Sequence, residues 1–292
     1  MGVYTRLSIL LISALISIPA LAADWNWSSD TGPNNTDYRI YKPDTADEGR
    51  TYALMIGLHG CVENTFGGDE YIQNPDALEP GWEAVAANET RGDMIVVLPE
   101  SENDCWNFYG TDQERDEKDN ENLIDLVKAL KNDTDLSIDP KQVYVSGLGG
   151  GATQAVVLAC LAPDQIAGIG AVAGQAIGTK LGEQKNTYAI PDLTTAANYC
   201  KNFAGDNSEF MDTQIASFVH GTTGYWNADD GIVNVTHTDR NAEVMANMYG
   251  AYKTGSDTVD GIVYTTWKSQ GDSVVYVMKV TGMEHGWPIG GE

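Results

Sequence analysis

Short apolar runs separated by polar, glycine-bearing stretches dominate the chain. Tyr52 to Leu58, Met94 to Leu98, Val143 to Ser146 and Ile166 to Ala173 are almost unbroken apolar segments, the pattern of strands buried on both faces of a parallel sheet. Asp37-Tyr38-Arg39-Ile40-Tyr41 alternates instead, as a half-buried strand does. Ile215 to Val219, Ile262 to Trp267 and Ser273 to Val280 predict later strands. Between them, Leu123, Ile124, Val127 and Leu130 recur at helical spacing. Gly150 to Leu161 reads as a small apolar helix, Asn241 to Tyr252 as another and Trp82 to Ala87 as a short one. Strands of this kind alternating with helices predict an α/β fold with a mostly parallel central sheet flanked by helices. No repeat or linker divides residues 37–292, which read as one domain. Residues 23–36 are rich in Asn, Ser, Thr, Gly and Pro and read as an irregular lead-in. Gly178 to Met211 is polar and breaks the rhythm, which predicts a long loop or lid.

The first residues follow another logic. Arg6 precedes the apolar run Leu7 to Ile18, and Ala20-Leu21-Ala22 is a small-x-small cleavage site. Residues 1–22 therefore read as a secretory signal peptide, too short in its apolar part for a membrane span. The chain carries 42 acidic against 17 basic residues, a net charge of −25. Loss of residues 1–22 removes Arg6 and no acid, giving −26 (−25 − 1). Phosphate backbones and anionic membranes are unfavourable partners for such a surface, whereas a neutral ester substrate is compatible with it. The self-repulsion is relieved by salt, which shortens the screening length to roughly 8 Å at 0.15 M.

Cysteine usage agrees with export. Cys61, Cys105, Cys160 and Cys200 are even in number and form no CxxC pair, so two disulfides are expected rather than zinc or thioredoxin-like chemistry. Four cysteines allow three pairings, and free buried thiols are the alternative.

Chemistry concentrates in Val143-Tyr144-Val145-Ser146-Gly147-Leu148-Gly149-Gly150-Gly151-Ala152. A buried strand runs through glycines into a helix, the context of the G-x-S-x-G nucleophile elbow. Gly147 and Gly151 fit the outer positions, but the centre is Gly149, which has no hydroxyl. Ser146 is the nearest hydroxyl and lies before the turn. Further along come His220-Gly221, Asp229-Asp230-Gly231-Ile232-Val233 and Gly282-Met283-Glu284-His285-Gly286-Trp287-Pro288. An acid and then a histidine after the elbow is the chain order of α/β-hydrolases. Asp230, with Asp229 and Asp239 as alternatives, would orient His285 as general base. The amide of Cys61, after the strand ending in Leu58-His59-Gly60, could help bind an oxyanion. His59 reads as a packing or loop-orienting residue and His237 as a surface residue.

Taken together, Leu58-His59-Gly60-Cys61, Cys105-Trp106-Asn107, Ser146-Gly147-Leu148-x-x-Gly151-Ala152, Asp230-x-x-Val233 and Gly282-Met283-x-His285-x-Trp287-Pro288 resemble secreted polyhydroxybutyrate depolymerases and the related feruloyl and acetylxylan esterases. The resemblance spans residues 37 to 291. It implies an α/β-hydrolase fold, a Ser-Asp-His triad, no metal and no cofactor. By position the nucleophile falls on Gly149, the acid on Asp230, the base on His285, and the oxyanion donors on the amides of Cys61 and Gly150. The implied activity is hydrolysis of poly(3-hydroxybutyrate) or its oligomers through an acyl-enzyme, disabled by the glycine. Feruloyl or acetylxylan ester hydrolysis and non-catalytic ligand binding are the alternatives. Gly149 reads as an engineered serine replacement, a sequence variant or a natural loss. Cys61 with Cys105 and Cys160 with Cys200 is the preferred pairing, the first tying the oxyanion loop to the Trp106 loop. Trp106, Trp226 and Trp287 are candidates to line an apolar acyl pocket. Such enzymes continue into a closing helix after the histidine loop, so a shortened C-terminus is also expected.

Overall fold

A computed structural model describes residues 25–43, 49–61, 82, 86, 94–102, 105–222 and 230–288. The signal-peptide reading of residues 1–22, Trp226, Asp229 and most of the predicted helix at 82–87 lie outside them. No helix among the described residues is long and apolar enough to cross a membrane.

Among the described residues, ten strands form one sheet: β1 (Trp25–Thr31), β2 (Asp37–Pro43), β3 (Tyr52–Leu58), β4 (Met94–Pro99), β5 (Ile138–Leu148), β6 (Gly168–Val172), β7 (Ile215–Gly221), β8 (Tyr252–Val259), β9 (Ile262–Ser269) and β10 (Asp272–Val280). Their spatial order is β1-β2-β4-β3-β5-β6-β7-β10-β9-β8. The six central strands, β4 to β10 in that order, pair in parallel, and antiparallel strands complete both edges. Every residue of β4 is buried, as its unbroken apolar run requires.

Among the described residues, four α-helices with both ends described lie between these strands: α1 (Lys118–Asn132), α2 (Gly150–Leu161), α3 (Leu193–Ala204) and α4 (Val235–Met248). The connections β4→β5, β5→β6, β6→β7 and β7→β10 all run the same way across the sheet. Right-handed crossovers therefore put all four helices on one face. α2 is apolar around its whole circumference, and all its residues except Gly150 are buried, as a helix enclosed on every side must be. It packs on β5 and β6 inside and on α3 outside. On the opposite face Tyr41, Ala53, Met94, Val96 and Leu98 form a second cluster with Ala86, joined by the partly buried Trp82 and Trp287.

Two expectations about the elements change, and one strand is new. Residues 23–36, expected to be irregular, contain β1, an edge strand paired with β2 from Trp25↔Pro43 to Thr31↔Asp37. In its sequence WNWSSDT the apolar alternation is confined to Trp25 and Trp27, too short to announce a strand. The stretch 178–211, expected as a long polar loop or lid, is largely helical. α3 buries Ala196, Ala197, Cys200, Phe203 and Ala204 and exposes its polar face, with Asp192 Oδ1 accepting the capping N–H of Thr195 at 3.0 Å. It is docked against α2 and α4 as part of the helical layer. β8, which the sequence pattern does not predict, is exposed along its whole length and pairs with β9.

Both disulfides form in the preferred pairing, Cys61–Cys105 and Cys160–Cys200, and no free cysteine is present among the described residues. Cys160–Cys200 staples α3 to α2 inside the core, where both residues are fully buried. Replacing both by alanine should lower the unfolding free energy by about 2–4 kcal/mol, because a crosslink of this span restricts the unfolded chain. Denaturant unfolding of the double variant beside the unchanged chain measures this. Coincident curves would show that α3 is held by packing alone.

Candidate active site

β5 ends at Leu148 and α2 begins at Gly150, so one residue makes the turn. Gly149 takes φ 55° and ψ −114°, a region glycine enters freely and other residues enter under strain. Its backbone is pinned on both sides. The N–H donates to Val172 O at 2.9 Å, and the carbonyl accepts from Thr153 N–H and Thr153 Oγ1, each at 3.1 Å. Gly151 permits the other close approach, since a Cβ there would strike the carbonyls of Leu58 and His59 at the end of β3. A Cβ built on Gly149 would lie 3.0 Å from His285 Nε2 and 3.5 Å from its Cε1. The turn thus directs its side-chain position at an imidazole.

His285 sits in the loop after β10, with its side chain 10% exposed. Its Nδ1 is 2.8 Å from Asp230 Oδ2, and its backbone N–H donates to Asp230 O at 3.1 Å. An ionised carboxylate only accepts, so Nδ1 carries the proton and Nε2 presents a lone pair toward residue 149. The second carboxylate oxygen, Oδ1, accepts the N–H groups of Ile232 at 2.9 Å and Val233 at 2.7 Å. Burial pushes the Asp230 acid up, but the His285 hydrogen bond, the His285 and His220 charges and the Val233 amide outweigh it. The net shift is below the usual carboxylate range.

Behind Asp230 lies His220, wholly buried at the end of β7. Its Nε2 donates to Val233 O at 3.0 Å, so its Nδ1 is the acceptor for Thr238 Oγ1 at 2.8 Å. Nε2 is also 3.7 Å from Asp230 Oδ2. The imidazole thereby ties the Asp230–Val233 turn to β7 and α4.

The opposite wall is built on Cys61. A Cβ on Gly150 would collide with Cys61 Sγ and touch Cys105 Sγ at 3.4 Å, so the Cys61–Cys105 bridge lies directly against the first residue of α2. No backbone acceptor among the described residues takes the amide of Cys61 or Gly150, and the latter is an unsatisfied donor of a helix N-terminus. His59 fixes this wall. Its Nδ1 donates to Gly60 O at 2.6 Å, its Nε2 accepts from Ser101 N–H at 3.2 Å, and its ring packs 4.7 Å from that of Trp106.

Gly149, Asp230, His285, Cys61 and Gly150 are therefore brought together. Trp106 is not a pocket lining: it is 1% exposed, and its indole N–H donates to His59 O at 2.8 Å. Trp287 is half-buried beside Leu148, Val172 and Met283 and meets Trp82 edge-on at 5.3 Å. Its Nε1 is buried and without an acceptor among the described residues. Ser146 Oγ faces Gly170 of β6, and Asp239 is engaged with Lys279 at 2.8 Å. His237, expected at the surface, is fully buried in α4 and accepts the Ala176 N–H at 3.0 Å. His220 and His237 stood out in the sequence only as histidines near apolar runs, with no signal for their partners. No metal-binding cluster occurs among the described residues.

A sheet whose strand-to-helix elbow faces an imidazole–carboxylate pair defines the α/β-hydrolase class. Solved structures agree on the fold. An acetyl xylan esterase from Aspergillus awamori matches with a TM-score of 0.67 at 16% identity, over 91% of this chain and 95% of that one. A feruloyl esterase module from Clostridium thermocellum matches with a TM-score of 0.54 at 16% identity, over 93% and 85%. The chain belongs to the esterase PHB depolymerase family, whose model matches residues 36–194. It is 32% identical over 285 residues to a poly(3-hydroxybutyrate) depolymerase of Ralstonia pickettii, covering 93% of this chain and 56% of that one. It is 27% identical to poly(3-hydroxyalkanoate) depolymerase C of Paucimonas lemoignei, covering 89% and 61%. The chain thus spans little more than half the length of these relatives.

Two buried groups make stability depend on acid. Burial chiefly drives the His237 imidazole down to about 4; the His220 charge adds to this, while the Glu183 and Gln184 backbone and the Glu183 charge oppose it. An unfolded histidine titrates near roughly 6.5. Between these values the unfolded chain binds more protons, so stability is full above the upper one and falls toward the lower, by up to about 3 kcal/mol. The lowered Asp230 acid contributes stability above the ordinary carboxylate range that is lost only at lower pH. Denaturant midpoints should fall from pH 6.5 to 4, and His237→Asn should flatten that limb. An unchanged slope in the variant would assign the loss elsewhere. His220→Leu strands the Val233 carbonyl and should lower stability by about 1–3 kcal/mol. His220→Gln, which keeps a donor, should lose less; equal losses would show that the donor is not what matters.

Proposed function

We propose that this protein is an exported carboxylic ester hydrolase of the depolymerase type, acting on poly(3-hydroxybutyrate) or its oligomers, and that Gly149 closes its acyl-enzyme route. The observation that carries the reading is the 3.0 Å approach between the Cβ direction of residue 149 and His285 Nε2, with Asp230 on the other ring nitrogen. With serine at 149, the hydroxyl gives its proton to Nε2 as Oγ attacks the ester carbonyl. The amides of Cys61 and Gly150 receive the oxyanion, the alcohol leaves with the proton from Nε2, and water releases the acyl group. The hydroxyalkanoate substrate is favoured by the two depolymerases that match over most of this chain. A neutral polyester also suits a surface of net charge −25. Export is supported by two disulfides, which persist in oxidising compartments.

The structural likeness to an acetyl xylan esterase favours plant cell-wall esters as a second reading. Gly149 itself favours ligand binding without turnover as a third. Gly149→Ser separates them on 3-hydroxybutyrate oligomers, methyl ferulate and acetylated xylan. The expected result is oligomer hydrolysis about 10³-fold or more above the unchanged chain. Activity confined to the plant esters selects the second reading, and a folded, inert variant selects the third. Serine at φ 55° should also cost roughly 1–3 kcal/mol of stability, read as a lower unfolding midpoint.

A further inference from the structure

We infer that with glycine at 149 the His285–Asp230 pair activates a water molecule directly, so that this chain hydrolyses its ester without an acyl-enzyme. The inference rests on the ester-hydrolase reading above and concerns how the same site works in the sequence as it stands.

Three features carry it. First, among the described residues the only atoms within 4 Å of a Cβ on Gly149, apart from its chain neighbours, are His285 Nε2 and Cε1. The side-chain direction of residue 149 thus leads to the basic nitrogen, and an atom about 3 Å from a ring nitrogen is at hydrogen-bond distance. Second, that direction is fixed in place. Gly149 N–H is committed to Val172 O, and Gly149 O to two donors of Thr153, whose Oγ1 also accepts the Gln175 N–H at 2.8 Å. The turn is thereby held against collapse onto the imidazole. Third, the remaining machinery does not involve the missing hydroxyl. Asp230 still holds the Nδ1 proton, and the amides of Cys61 and Gly150 remain without backbone acceptors among the described residues.

The step balances without a further reagent. Water held by Nε2 gives that nitrogen a proton as its oxygen bonds to the ester carbonyl carbon. The carbonyl electron pair moves to oxygen, facing the two amides. Collapse breaks the bond to the alcohol oxygen, which takes the proton back from Nε2. The products are the free acid and the alcohol. Alanine at 149 would behave differently although it too lacks a nucleophile, because its methyl group would stand 3.0 Å from Nε2, where the water must sit.

The test compares the unchanged chain with Gly149→Ala, His285→Gln and the double variant, on 4-nitrophenyl butyrate and a 3-hydroxybutyrate trimer. The unchanged chain should hydrolyse both above the buffer rate, with no nitrophenol burst and no inhibition by an organophosphate reagent. Gly149→Ala and His285→Gln should each lower the rate tenfold or more, and the double variant no further. Near-ultraviolet circular dichroism checks folding. Should alanine at the positive φ fail to fold, His285→Gln still decides, since it changes no strained backbone. A rate equal to buffer, a burst, or a rate indifferent to His285→Gln overturns the water route. A folded Gly149→Ala as fast as the unchanged chain does the same. Gly149→Ser tells the two failures apart. If it hydrolyses while the unchanged chain does not, only the water route falls; if neither hydrolyses, the ester reading falls as well.

Discussion

The turn at residue 149 is the constraint on which the site depends. A buried parallel strand must become a helix within one residue, and only φ 55° with ψ −114° does so here. The two hydrogen bonds from Thr153 and the one to Val172 hold that conformation. Because the turn is fixed, the side-chain direction at 149 is fixed too, and everything else is arranged around that direction. The imidazole lies at its end, and the first helical amide emerges beside it.

Two buried supports fix the walls. On one side His220 holds Val233, Val233 holds Asp230 and Asp230 holds His285, all within 3.0 Å at each link. A chain of fully partnered polar groups in a low-dielectric interior is stiff, because each broken link strands a buried donor or acceptor. On the other side Trp106 donates to His59 O while His59 clamps Gly60 and Ser101. The Cys61–Cys105 bridge then seats Cys61 against α2. Each support ends on a residue of the site, His285 on one side and Cys61 on the other. Both confine it, which is how a site keeps its geometry without relying on loop order.

What was legible in the sequence divides along physical lines. The central strands announced themselves because burial on both faces demands unbroken apolar runs, as in Met94–Pro99. The elbow was legible because glycines between a strand and a helix have few other uses. β1 and β8 were not, because an edge strand needs only one partner and its residues remain polar. α3 was hidden because its buried face has a single large apolar residue, Phe203, beside three alanines and one cysteine, which weigh little in an apolar pattern. Trp106 was misread for a different reason. A tryptophan beside a reactive loop can face substrate or brace the loop, and its partner at His59 lies 47 residues away. Partnership across that distance is a property of the fold and leaves no local trace. His220 and His237 followed the same rule, since the groups they bond come from other elements.

Glycine at 149 places stability and reactivity in opposition at a single residue. Any L-residue in that conformation carries strain of roughly 1–3 kcal/mol, and its Cβ would press on the imidazole at 3.0 Å. Glycine relieves both terms at once. A serine there would carry them, and its gain would be a hydroxyl held in line with a general base. Because the surrounding hydrogen bonds are made by the backbone of 149 rather than by its side chain, those bonds are available to whichever residue occupies the turn. Under the proposed function, the frame for acyl transfer is retained around a glycine. Under that proposal, the residue at 149 sets what stands between the imidazole and the ester: an oxygen bonded to the chain, a methyl group, or water.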